Sequence, residues 1–325
     1  MTSSSAVLLV GIDEAGYGPV LGPLVATAMA FEAPAELVDA SLWDVLRRSV
    51  SERVSTRDRR VAIVDSKKLH RGDDGLAHLE RSALAAIAAF SSPPASLRGL
   101  LHLLAPHVLG MLAEYPWYRE ADPALPLAAD ADAARLAGEC LARDAAVHGV
   151  RLAGLWSEPL PEGHYNRLVG RTRNKAVVLL GQTLRLVQRV AEAFPDRTIH
   201  YLIDKQGGRG HYREALMRAF EGRTVQVVNE CDQTSVYVLH GAAPPWSFTF
   251  AAQGESRHLP VALASILSKY QREVFMNAFN SFWRRHAPQV APTAGYYVDG
   301  QRFLRDADEA IRRLGVDRAL LVRSR

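Results

Sequence analysis

A chain of 325 residues is about twice the length of an average domain, enough to bury a core as one large domain or two ordinary ones. With 48% hydrophobic and 23% charged residues it has the composition of neither a disordered nor a fibrous chain, and its net charge of +4 is small for this size. No stretch supplies the eighteen or more uncharged apolar residues of a membrane helix.

The N-terminus has no basic segment and its apolar run is broken at Asp13 and Glu14, so it reads as neither a signal peptide nor an anchor. Residues 6–12 (AVLLVGI) read as a strand buried on both faces, and 24–31, after a Pro/Gly turn, as a second strand forming a tight hairpin with the first. A helix is predicted over about 35–52, then a short strand at 61–64, a polar turn and a long amphipathic helix stopped by the prolines of 91–94. From about 92 to 148 the chain is rich in Ala, Leu and Pro, with short helical patterns and an aromatic knot at 115–118, and reads as a separate helical insertion. Beyond it, GVRLAGLWSEPL is strand-like, 174–194 is strongly periodic, and IHYLID is a buried strand ending in an acid. Strand and helix then alternate through HYREALMRAFEG, TVQVVNE, WSFTFAAQGESR and VALASILSKYQREVFMNAFNSFW to a terminal helix over about 301–313, without internal repeats. The sum predicts an α/β fold with a mixed central sheet flanked by helices, one domain over 1–325 whose core is 1–91 and 149–325.

The informative feature is that carboxylates stand where apolar strands stop: Asp13 and Glu14 after the first, Asp204 after IHYLID. Acids at the ends of buried strands lie at the sheet margin, where α/β folds place their sites. Neighbours in a strand face opposite ways, so Asp13 and Glu14 can share a site only if the chain turns there, a turn Gly16 and Gly18 can supply. Convergent carboxylates repel unless a cation binds between them, and oxygen ligands select Mg²⁺ or Mn²⁺. Taken singly, Asp13 or Asp204 could equally cap a turn.

Other chemistries find no support. Gly16 and Gly18 are followed by Gly22, one position too far for G-x-G-x-x-G, and two acids stand where a pyrophosphate would approach. Cys140 and Cys231 stand alone, which indicates neither a disulfide framework nor a zinc site and fits a reducing, cytoplasmic setting. Of the 39 basic residues only five are lysines, at positions 67, 68, 175, 205 and 269.

These residues resemble a known family, the type 2 ribonucleases H, comprising ribonucleases HII and HIII. GIDEAGYGPVLGPLVATAMAF is similar to its opening strand, acid pair and glycine loop, and Asp65-Ser66-Lys67-Lys68-Leu69 matches its D-S-K-K-L motif. LID, ending at Asp204, resembles its third acid, and QGESRHLPVALASILSKYQRE its K-G-D or K-A-E segment with A-A-S-I-[IL]-A-[KR]. The resemblance implies a ribonuclease H-like fold and two divalent ions, Mg²⁺ or Mn²⁺, held by the catalytic acids Asp13, Glu14, Asp204 and Glu255. It implies hydrolysis of the RNA strand of RNA–DNA hybrids, or at ribonucleotides embedded in duplex DNA, leaving 5′-phosphate and 3′-hydroxyl ends, with no membrane and no obligate protein partner. Gly16, Tyr17, Gly18, Ser66, Lys67, Lys68, Lys269 and Tyr296 would contact the nucleic acid.

The chain departs from the family pattern in four places. Tyr17 replaces the usual Arg, Lys or Thr between the glycines, and Gln253 replaces the lysine of K-G-D. The segment around 211–245 is enlarged, and after Gly295-Tyr296 the family's later H-R-x-S-F is absent. Two other readings therefore stand beside the nuclease: a hybrid-binding protein of the same fold with little or no catalysis, and a related metal nuclease with another substrate.

Overall fold

The computed structural model describes residues 6–55, 57–207 and 209–324. Positions 1–5, part of the N-terminus read above as carrying no leader, lie outside them. Its centre is a seven-stranded mixed sheet made of β1 (Ala6–Ala15), β2 (Leu24–Pro34), β3 (Arg151–Leu160), β4 (Ile199–Asp204), β5 (Thr224–Glu230), β6 (Thr234–His240) and β7 (Trp246–Ala251), in the order β3-β2-β1-β4-β7-β6-β5. β1 and β2 form the expected antiparallel hairpin, while β1, β4 and β7 run parallel.

Alternate residues of β1 feed two cores. Leu9 faces one with Met29 and Phe31, whereas Leu8, Val10 and Ile12 face the other with Ala28 and Ala30. Helix α1 (Gly75–Ala88), helix α2 (Ala131–Val147) and the long helix α5 (Leu259–His286) cover the first side. Helix α4 (Lys175–Ala193) covers the second, preceded by α3 (Glu162–Thr172). At Gly11 a Cβ would stand 2.0 Å from the carbonyl carbon of Pro260, so only glycine lets α5 rest directly on β1.

The segment read as an insertion, about 92–148, contributes residues from Leu97 to Ala145 to the same core as the rest of the first side. Gly138 of α2 sits against Ala85 of α1, and the aromatic knot meets α5, with Trp117 edge-on to Phe279 and Tyr118 edge-on to Phe275.

Two local expectations fail, and one strand is added. The helix predicted over 35–52 is a 3-10 turn (Ala35–Leu37), a four-residue helix (Leu42–Val45) and a strand, Val50–Ser51, paired in parallel with Val61–Ala62. Leu42, Trp43, Leu46 and Val50 are buried as a helical stripe would be, but Trp43 donates from its indole to the Ile63 carbonyl at 2.9 Å, and that pairing draws Val50 into a ladder. The terminal helix breaks at Ala307 into Tyr297–Asp306 and Asp308–Arg313. The enlarged segment holds strand β6 as well as β5, and together they extend the sheet by a hairpin. No helix among the described residues is long and apolar enough to cross a membrane.

Candidate active site

The acids gather where the three parallel strands end. Ile12 pairs with Ile203 and Asp204 with Ala251, so Asp13 comes level with the ends of β4 and β7, and Glu255 follows β7 in the 3-10 turn Gly254–Ser256. The chain turns at Gly16 (φ +88°), while β1 keeps pairing with β2 through Ala15, opposite Val25, so Asp13 and Glu14 are still in the strand. Both acids nonetheless line one cavity of about 230 Å³, with Asp204 and Glu255. Gly16, Tyr17, Gly18, Ser66, Lys67, Lys269 and Tyr296 line the same cavity. Lys68 does not; it lines a neighbouring cavity of about 330 Å³ with Trp43 and Asp65.

The electrostatics are those of crowded anions. Burial, then Glu14 and Asp204, push the Asp13 carboxyl well above the usual carboxylate range, against a hydrogen bond from Ser265 and the Glu14 N–H at 2.7 Å. Burial and Asp204 push Glu14 up to about 7, opposed by Lys67. Asp204 rises to about 7 through burial and its contact with Glu255, although it accepts the Gly254 N–H at 2.7 Å. Four carboxylates offering only oxygen fit a hard divalent cation, whose charge would relieve this repulsion. Among the described residues no three of His, Cys, Asp or Glu close to the spacing of a coordination shell, and one oxygen each of Asp13 and Asp204 rests on a backbone amide.

The glycine loop is clamped by buried charge. Arg272 of α5 donates to the carbonyls of Leu21 and Ala294, both at 3.0 Å. Arg323 donates to the carbonyls of Gly16 and Tyr17, and buried Glu162 accepts the Gly22 N–H at 3.0 Å and the Tyr118 hydroxyl at 3.2 Å. The carbonyl of Gly295 accepts the N–H of Val20 at 2.8 Å, which brings Tyr296 to the cavity mouth, half exposed. A Cβ on Gly16 would stand 2.6 Å from the Pro23 carbonyl oxygen and 2.8 Å from Arg272, whereas at Gly18 nothing lies within 4 Å. The loop is thus rigid at its root and open at its tip.

Helix α5 supplies the floor. Ser265 meets Asp13 and the Ser66 hydroxyl at 3.1 Å, and Ser268 donates to the Asp13 carbonyl at 3.0 Å. Lys269, nearly buried, donates to Glu273 at 2.5 Å, so its charge is already paired. Ser265, Ser268, Lys269 and Arg272 recur three and four residues apart on one helical face, a spacing visible in ASILSKYQR although the reading above singled out only Lys269. Asp65, the first residue of the D-S-K-K-L motif, lines the cavity too, whereas Arg323 and Glu162 gave no comparable signal.

No protein-family model matches the chain. Over 46 residues it is 48% identical to the ribonuclease HII of Gluconobacter oxydans (strain 621H), a match covering 14% of this chain and 22% of the length of that protein. Among solved structures, the Mn²⁺ complex of Bst-RNase HIII is matched over 99% of this chain and 67% of that one, at 14% identity and a TM-score of 0.46. The ribonuclease HII of the PCNA:RNase HII complex from Archaeoglobus fulgidus is matched over 98% and 95%, at 14% identity and 0.41. The ribonuclease H2 of Pyrococcus horikoshii OT3 is matched over 97% and 92%, at 11% identity and 0.41. The motifs and this local match of 46 residues point the same way, towards a likeness to the type 2 ribonucleases H.

Proposed function

We propose that the protein is a metal-dependent endoribonuclease that hydrolyses the RNA strand of RNA–DNA hybrids, or ribonucleotides embedded in duplex DNA, leaving 5′-phosphate and 3′-hydroxyl ends. The observation that carries this reading is that Asp13, Glu14, Asp204 and Glu255 line one cavity with the glycine loop. Asp13, the most deeply buried of the four, and its three neighbours would hold two ions, Mg²⁺ or Mn²⁺. When bound, such ions activate an attacking water and take up negative charge on the phosphodiester.

The chain's own residues do the rest. The open tip at Gly18 lets a sugar approach the backbone, where the 2′-hydroxyl distinguishes RNA from DNA. Lys67, exposed beside Glu14 and Asp204, suits a phosphate oxygen, and the half-exposed Tyr296 ring suits a stacked sugar or base. Ser265 and Ser268 fix the side chain and backbone of Asp13.

Tyr17 and Gln253, where the family pattern has other residues, favour a second reading in which the chain binds hybrids with little turnover. Incubation of labelled hybrid, single-ribonucleotide duplex and plain DNA with Mg²⁺ or Mn²⁺ separates the two. The first reading predicts cleavage of the ribonucleotide-containing substrates, abolished by Asp13→Asn. Binding without cleavage supports the second, and cleavage unchanged in Asp13→Asn overturns the mechanism.

A further inference from the structure

A cavity walled by four carboxylates repels the phosphodiester it is meant to receive. Of the two lysines lining it, Lys269 is paired with Glu273, leaving Lys67 alone against the acids. Affinity for a polyanion must then come from positive charge beyond the cavity.

That charge lies past Tyr17. The Lys175 ammonium stands 4.9 Å above the centre of the Tyr17 ring, returning a cation to the loop at the position where the aromatic residue had removed one. Tyr17 also packs, with Leu168 of α3, against one apolar cluster. Leu168 also lines a groove of about 630 Å³ between α3, α4 and segment 106–111, whose basic residues are Arg167, Arg171, Arg185 and Arg189. Arg171 stands in the last turn of α3, just before the Arg173-Asn174 connection to Lys175, so the groove and the cavity are joined along α3 by Leu168, Tyr17 and Lys175.

The counter-charges are few. Glu158 accepts from Arg189 at 3.0 Å and Arg185 at 3.4 Å, with His107 at 3.2 Å, and Glu114 pairs with Arg167 at 3.0 Å. Five cations thus face two carboxylates, a surplus of three positive charges with the histidines neutral. Arg171 and Lys175 are exposed and enter no ion pair among the described residues.

Resting on the nucleic-acid reading above, we infer that Lys175, Arg171 and the arginine groove form a backbone track that holds the sugar-phosphate strand of a duplex flanking the cavity. Its contacts are to phosphates, so they position the substrate without reading sequence. Tyr17 is a positioning residue that props Lys175.

The test is equilibrium binding of an end-labelled RNA–DNA hybrid, followed by fluorescence anisotropy across a salt series with chelator present, so that turnover plays no part. In the double variant Arg171→Gln/Lys175→Gln, affinity should fall about tenfold or more, and the slope of log affinity against log salt should flatten by about 2. Arg171→Lys/Lys175→Arg should restore both, Arg218→Gln on the far helix Arg213–Ala219 should change neither, and thermal melting should be alike in all. Wild-type affinity and slope in the double variant overturn the track and leave the nuclease reading standing. A flattened slope in a protein that cleaves no hybrid upholds the track and overturns the nuclease. If the wild-type chain binds no duplex at all, both fall.

Discussion

Glu80 and Asp13 are both buried carboxylates, but their surroundings are opposite. Glu80 accepts the N–H groups of Leu127 and Ala128, both at 2.6 Å, Ala129 at 2.8 Å, and the Tyr270 hydroxyl at 2.8 Å. It ties the segment before α2 to α1 and α5, and every contact it makes is a donor. Asp13 instead faces Glu14 and Asp204, so its burial is opposed by neighbours of its own sign. The comparison teaches that burial alone says little about a carboxylate's role. A buried acid ringed by donors holds the fold, whereas one ringed by acids stores repulsion that a cation can release.

Substitution should break the comparison in two directions. Asp204→Asn should lower hybrid cleavage by roughly a hundredfold or more, about 2.7 kcal/mol of barrier, while the melting temperature in the absence of metal holds or rises because one repelling charge is gone. Glu80→Ala should do the reverse, costing about 3 kcal/mol of stability by leaving three amides and a hydroxyl unsatisfied, with kcat per folded molecule unchanged. Denaturant melts and initial rates on both variants check the pair. A destabilised Asp204→Asn with full activity would place that acid in Glu80's class.

Glu162 sharpens the comparison because it stands between the two. It accepts from Gly22 and Tyr118 through one oxygen, its other oxygen has no partner, and burial pushes its carboxyl up to about 7. A pKa raised on folding means that the native state holds the proton more tightly than the unfolded chain. Its contribution is therefore complete below the unfolded value near 4.5 and is lost as pH rises through about 7. Between pH 5 and 8 the wild-type protein should lose on the order of 2 kcal/mol relative to Glu162→Gln, read from urea melts at each pH. Parallel pH profiles for the two proteins would contradict this.

The same distinction explains what the sequence reveals. The hairpin was legible because AVLLVGI and the run from 24 to 31 are apolar throughout, and the acids because a charge interrupting such a run has few structural reasons to be there. The stripe at 42–50 misled because a tertiary pairing with 61–62 overrode a helical spacing. Strand β6 carried its alternation openly, with Ser235, Tyr237 and Leu239 buried, and was passed over beside its stronger neighbours. Arg323 and Glu162 were illegible because a charge buried by distant parts of the chain looks in sequence like any surface charge.

The nuclease reading requires an acid cluster built for cations. Titration of the metal-free protein with Mn²⁺, followed by electron paramagnetic resonance of the free ion, addresses that directly. The account predicts uptake of two ions by the wild-type chain, with affinity reduced at least tenfold in Asp13→Asn and unchanged in Arg218→Gln. No uptake, or uptake indifferent to Asp13, would contradict it.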